Sequence, residues 1–179
     1  MKSLAILFIL HSVLCFAQKE GDNLSLFTNG DTSVYFYIHE GMKEGYEQQF
    51  FENGKWKSVG RYHKGLKEGW WKHFYENGQI KFEGEFVHDL KQGWWRYYAE
   101  DGSIESEGHY IDGQKDGYWN VYENGVLGKG HFSLNQREDR WEFYNGQELI
   151  KAGYYSNGMP VGQWRERNEG KWELIEIPE

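Results

Sequence analysis

Between residues 45 and 161 hydrophobic and polar positions alternate along short runs, and each run ends at an Asn-Gly or Asp-Gly pair. After Asn77-Gly78 the chain reads Ile80-Lys81-Phe82-Glu83-Gly84-Glu85-Phe86. Side chains alternate along a strand, so Ile80, Phe82, Gly84 and Phe86 share one face while Lys81, Glu83 and Glu85 share the other. The same slots hold Trp56, Gly60 and Tyr62 one copy earlier, and Ile104, Gly108 and Tyr110 one copy later. Before the pair come aromatic and long polar residues, as in Trp70 to Tyr75 and Trp94 to Tyr98. Asn-Gly or Asp-Gly between such runs signals a hairpin, because a type I′ turn needs positive φ at both central residues. The pair recurs at 53–54, 77–78, 101–102, 124–125 and 145–146, with further copies at 29–30 and 157–158. Helical periodicity is absent and only two prolines occur. The pattern predicts an all-β chain of hairpins with strands of about six or seven residues.

The hairpins are copies of one unit, about 24 residues apart, a period that marks an array of supersecondary units. Aligned on tryptophan, three copies read Gly69-Trp70-Trp71-x-x-Phe74-x-x-Asn77-Gly78, Gly93-Trp94-Trp95-x-x-Tyr98-x-x-Asp101-Gly102 and Gly117-Tyr118-Trp119-x-x-Tyr122-x-Asn124-Gly125. A copy with Glu47 in the tryptophan slot precedes them, and a shortened one with Trp141 follows. One face of one hairpin cannot offset the ordering entropy of its residues, so the copies must pair laterally into an elongated, single-layer antiparallel sheet. The connectors 65–69 and 89–93 are expected to turn the chain back between hairpins. Residues 18–44 form a degenerate leading repeat or cap, 45–161 five repeats, and 162–179 a partial repeat closed by a strand near Trp172 to Ile177. A glycine in the middle of an inward face weakens a strand unless something large needs the space. Gly60, Gly84, Gly108, Gly130 and Gly153 are therefore expected to make room for the tryptophan of the same or the adjacent hairpin (Trp71, Trp95, Trp119), with room for a ligand as the alternative; Trp141 and Trp164 are read as structural too.

Consecutive rings at 70–71 and 94–95 must point to opposite faces. One of each pair belongs to the core, and the other joins a ladder of Tyr46, Trp70, Trp94 and Tyr118 on the second face. An uncovered ladder of that extent marks a binding surface; curvature of the sheet, the side chains of Lys72 and Arg96, or a second copy are the alternatives that would cover it.

The spaced pattern Gly-x-Trp-x-x-Tyr/Phe-x-x-Asn-Gly, then Glu83-Gly84-Glu85-Phe86 or Glu107-Gly108-His109-Tyr110, then Gly-x-Lys-x-Gly, resembles MORN repeats, and among them the bacterial variant form. The resemblance covers about residues 45–170. Departures are Glu47 for Trp, Asp89 in a connector that usually carries Gly, Asp139 for the opening Gly, and a shortened turn in the last copies. It implies a hairpin array used for protein contact, scaffolding, self-association or attachment near a membrane, with lipid binding proposed only for some members. Some bacterial relatives are called antitoxins, a role that fits poorly with an exported chain. The motif is also similar to choline-binding cell-wall repeats, which are Trp-rich hairpins of similar length.

Lys2, an apolar stretch from Leu4 to Leu14 and small Ala17 read as a signal peptide over 1–17, cleaved after Ala17. Acylation of Cys15 is the alternative, set back by Leu14, where a small residue is usual. Cleavage removes the only cysteine, leaving no disulfide or thiolate chemistry. The expectation is an exported protein, periplasmic, on the outer surface or secreted, with no integral membrane segment after cleavage. The chain carries 20 Lys and Arg against 28 Asp and Glu, a formal net charge of −8, which argues against nucleic acid as a partner. No HExxH, phosphate loop or serine elbow occurs. His39, His63, His73, His88, His109 and His131 read as falling at differing repeat slots, and Glu83 and Glu85 as solvated neighbours. No catalytic, cofactor or metal residues are expected. The sequence reading is an exported, non-enzymatic module that binds a protein partner or itself through its aromatic face; a glycan or cell-wall binder and a structural spacer in an envelope assembly are the alternatives.

Overall fold

A computed structural model describes residues 20–177. The expected leader over 1–17 lies outside the described residues. Fourteen strands follow one another: β1 Gly21–Leu26, β2 Thr32–His39, β3 Met42–Phe50, β4 Trp56–His63, β5 Leu66–Phe74, β6 Ile80–Val87, β7 Leu90–Tyr98, β8 Ile104–Ile111, β9 Gln114–Glu123, β10 Val126–Ser133, β11 Gln136–Asn145, β12 Glu148–Ser156, β13 Met159–Asn168 and β14 Lys171–Glu176. They form one sheet in chain order, each antiparallel to the next, as the repeat pattern predicts. No helix occurs among the described residues.

The turns differ from the sequence reading, and the difference lengthens the strands. Residues 66–69 and 90–93, read as connectors, are already strand. His63 pairs with Leu66, Val87 with Leu90 and Ile111 with Gln114, so each connection is a two-residue turn. Lys64 and Gly65 have φ of 50° and 82°, and His88 and Asp89 of 50° and 66°, the type I′ signature. Asn53-Gly54, Asn77-Gly78 and Asp101-Gly102 do not form that turn. Only the glycine of each pair has positive φ, and its N–H donates to the carbonyl three residues back (Phe51, Tyr75 and Ala99) at 2.9 Å. This is a type I turn closed by a left-handed residue. The Asn or Asp supplies a side-chain acceptor: Asn53 Oδ1 takes the Lys55 N–H at 2.9 Å, and Asn77 Oδ1 the Gln79 N–H at 2.8 Å. Asn53 Nδ2 also donates to Glu76 O at 3.0 Å, and Asn77 Nδ2 to Glu100 O at 2.7 Å, which stitches each turn to the next. Asn124-Gly125 is a two-residue turn with φ of 51° and 79°, as predicted.

A second regular irregularity sets the core. Between the pairs Val59–Lys72 and Arg61–Glu68, β4 contributes Gly60 alone while β5 contributes Gly69, Trp70 and Trp71. The same shift recurs between β6 and β7, and one position along between β8 and β9, where His109 stands alone opposite Asp116, Gly117 and Tyr118. Gly69 takes φ +70° at this bulge, and Asp139 holds the equivalent left-handed position in β11 at φ 59°. The two extra residues swing Trp71 across the preceding strand, so its ring lies over Gly60 rather than over its register partner Gly84.

Candidate functional site

The first face of the sheet is closed by its own rings. A methyl group on Gly60 would fall inside the ring of Trp71, and the same holds for Gly84 with Trp95, Gly108 with Trp119, Gly130 with Trp141 and Gly153 with Trp164. The large partner therefore comes from the following hairpin in every case. Tyr62, Trp71, Phe86, Trp95, Tyr110, Trp119, Phe132, Trp141, Tyr155 and Trp164 then meet edge to face in one unbroken row, at centroid distances from 4.9 Å for Phe86–Trp95 to 6.1 Å for Trp71–Phe86. Edge-to-face pairs add stability beyond the area they bury. Four of the five indole N–H groups are satisfied across the same bulge, Trp164 Nε1 being the exception: Trp71 Nε1 donates to Arg61 O and Trp95 Nε1 to Glu85 O, both at 3.1 Å. Trp119 and Trp141 repeat the bond at 3.0 Å, to His109 O and His131 O. The five tryptophans are at most 2 % exposed although no second layer covers them.

Cations roof this row. Lys67 Nζ lies 4.7 Å from the Trp71 ring centre, Lys91 Nζ 4.7 Å from Trp95, Lys115 Nζ 4.2 Å from Trp119, and the Arg137 guanidinium 4.6 Å from Trp141. The lysine of the Gly-x-Lys-x-Gly motif is thus a cation–π lid with its stem over apolar surface. The first hairpin uses a different device. Phe36 stands in the glycine slot of β2, and buried Glu47 in the tryptophan slot of β3. Glu47 is held by Lys43 and by Gln49 Nε2, which donates to its Oε1 at 2.9 Å.

The second face carries the ladder. Tyr46, Trp70, Trp94 and Tyr118 are 67, 52, 39 and 64 % exposed, each adjacent in sequence to a buried residue of the first face. Lys72 and Arg96 do not cover them, because both turn to carboxylates: Lys72 to Glu83 at 3.2 Å and Arg96 to Glu107 at 2.8 Å. The ladder residues alternate with cross-strand partners Arg61, Glu85, His109 and His131. Trp94 meets His109 edge to face at 5.4 Å, and Tyr118 meets His131 at 5.9 Å.

That arrangement corrects the reading of the histidines. His109 and His131 each follow the core glycine of their strand and occupy one slot on successive hairpins. His39 and His63 share another slot, where their Nδ1 atoms face Glu20 at 2.9 Å and Glu44 at 3.0 Å. Counting from the glycine rather than from the tryptophan would have aligned His109 with His131. His73 is the exception; it lies on the first face, stacked on Phe82 at 4.3 Å. Burial, and then the nearby Lys67, Lys81, Lys57 and Lys91, hold its pKa down at about 4. A histidine kept neutral by the fold contributes stability that is full above its unfolded pKa near 6.5 and is lost as pH falls towards 4. The expected result is a decline in unfolding free energy between pH 6.5 and 4 containing up to one proton's slope, about 1.4 kcal/mol per pH unit, from this group. His73→Phe should remove that component in urea melts measured across the range.

No group of three or more His, Cys, Asp or Glu arranged to hold a metal occurs among the described residues. No helix there is long and apolar enough to cross a membrane. In comparison with known families, the model of the MORN repeat variant matches residues 67–88 and 91–112. These spans correspond to β5–β6 and β7–β8 with their turns. No curated protein matches the chain.

Proposed function

The chain is a MORN-repeat protein, a repeat module of stacked hairpins, and on that premise we propose that it is exported and binds a protein partner along its second face. One observation carries the reading: Tyr46, Trp70, Trp94 and Tyr118 remain uncovered in a row, spaced by alternate strands, although the sheet buries five tryptophans on its other side. Tryptophan, tyrosine and arginine are the residues that anchor protein interfaces, and here they are rimmed by paired charges. MORN repeats are not a known enzyme family, and in this chain Lys72, Glu83, Arg96 and Glu107 of the second face are engaged in cross-strand ion pairs. Export is supported by Lys2, the apolar stretch from Leu4 to Leu14 and Ala17.

The test is crosslinking and capture from the native cells with the wild type and a Trp70→Ala, Trp94→Ala, Tyr118→Ala variant. Loss of a defined protein partner, or of self-association, in the variant is the expected result, with the far-ultraviolet spectrum unchanged because these rings lie outside the core. Retention on insoluble polysaccharide that soluble sugar reverses would instead favour a glycan ligand, and identical behaviour of the two proteins would leave the spacer role. Mass spectrometry of the recovered protein should find Gln18 as the first residue.

A further inference from the structure

The ring-covered face also carries a line of cations whose middle members the fold leaves without a carboxylate partner. Lys43, Lys67, Lys91, Lys115 and Arg137 occupy one slot on β3, β5, β7, β9 and β11, all on the tryptophan side. The two ends are paired, Lys43 with Glu47 and Arg137 with Glu123 at 3.6 Å. Among the described residues, Lys67, Lys91 and Lys115 have no carboxylate at ion-pair distance. Lys91 Nζ donates to Tyr97 Oη at 2.6 Å, which leaves two of its three donors free. Burial lowers the pKa of Lys91 and Lys115, and the neighbouring cations add to it: Lys115 and Lys67 for the first, and Arg137 for the second, where Glu123 opposes the shift.

The next residue in each connector explains the segregation of sign. Glu44, Glu68 and Glu138 face the opposite side, where they accept turn N–H groups from Lys64, His88 and Asn157. Each Lys-Glu or Arg-Glu pair therefore puts its cation on one face and its carboxylate on the other. A chain of net charge −8 thus presents a positive line on its tryptophan side.

We infer that this line is a docking track for an acidic polypeptide segment in polyproline-II conformation, with a carboxylate at every third residue. Cations on alternate strands stand about 9.6 Å apart, twice the strand spacing of ~4.8 Å. A polyproline-II chain turns once per three residues of ~3.1 Å each, so its same-side groups repeat every ~9.3 Å. An extended strand repeats every ~6.7 Å and loses step at once, and a helix with acids seven apart drifts by nearly 1 Å per cation at ~1.5 Å per residue. A membrane surface fits less well, because the positive line is one residue wide on an acidic protein. The track lies on the opposite face from the aromatic ladder and stands or falls separately from it.

The probe is a labelled twelve-residue peptide of four Glu-Pro-Pro triplets, titrated with the full chain by fluorescence anisotropy. It should bind about tenfold more tightly than four Gln-Pro-Pro triplets, and than a peptide of equal composition with its glutamates contiguous. Binding should weaken as salt is added. Lys91→Gln and Lys115→Gln should each weaken it about tenfold while Lys→Arg at both sites preserves it, with near-ultraviolet dichroism of the tryptophans reporting the native fold. Equal binding of the neutral or contiguous peptide overturns the inference, as does wild-type affinity in a folded Lys91→Gln protein. Tighter binding of polygalacturonate than of the peptide overturns it in favour of an anionic polysaccharide. If the lysine variants do not fold, the comparison among peptides decides.

Discussion

Gly84→Ala is expected to destabilise the protein by about 3 kcal/mol, at the upper end of what overpacking a tight core costs. Backbone conformation does not cause this, since Gly84 is not among the positive-φ glycines. In an ordinary strand the same change stabilises by roughly 0.5–1 kcal/mol, because alanine loses less freedom on folding. The sign reverses here because the new methyl group would enter the ring of Trp95. That ring cannot withdraw, being 0 % exposed, hydrogen-bonded through Nε1 to Glu85 O at 3.1 Å and held edge-on by Phe86 at 4.9 Å. Two other glycines separate the steric effect from backbone strain. Gly69→Ala meets no atom within 4 Å but sits at φ +70°, so it should cost only about 1–2 kcal/mol. Gly128→Ala would approach Phe143 Cε1 at 3.2 Å, a contact that a half-buried ring can relieve, and should fall below Gly84→Ala. Urea melts of the three variants give the ranking. A Gly84→Ala protein within 0.5 kcal/mol of wild type would contradict the packing of tryptophan on glycine.

The Trp95–Gly84 packing was legible because it rests on alternation and on the absence of side chains, both written in the sequence. Hairpin order was legible for the same reason: the paired-ring dipeptides 70–71 and 94–95 fix which side faces in. Turn chemistry was not. Asn53-Gly54 and Asp112-Gly113 look alike as dipeptides, yet only the second has positive φ at both residues. The difference is made by how many residues the neighbouring strands have left to pair, which is a property of register. The bulge at Gly69-Trp70-Trp71 escaped for a related reason. Its two extra residues belong to the pairing with β4, whereas the pairing with β6 is regular, and a motif read along one hairpin sees only the regular side. With the bulge unseen, nothing in the alternation placed the lysines of the connectors over the tryptophans. On the second face, alternation placed Tyr46, Trp70, Trp94 and Tyr118 together, but the His109 and His131 partners were missed because the copies were counted from the tryptophan.

Phe36→Gly and Glu47→Trp should each destabilise the protein alone and rescue one another together. The first hairpin lacks the glycine–tryptophan pair, and its two departures occupy the two halves of that pair: a ring at the glycine slot and a carboxylate at the tryptophan slot. Glu47→Trp alone would drive an indole against the Phe36 ring, an overpacking cost of about 3 kcal/mol, and would strip Lys43 of its counter-ion. Phe36→Gly alone removes the ring 5.1 Å beneath Lys43 Nζ and leaves a cavity, at about 3–4 kcal/mol. In the double variant the indole can lie across the new glycine, Lys43 can sit over it as Lys67 sits over Trp71 at 4.7 Å, and Tyr62 can meet its edge. Lys43 then trades its carboxylate for the face of an indole, a partner that itself attracts a cation. The two substitutions should therefore couple favourably, by about 2–3 kcal/mol, at the upper end of the range for residues in direct contact. A double-mutant cycle in urea gives the coupling directly. Additive losses would mean that the row of rings begins at Tyr62 for a reason other than the identity of residues 36 and 47.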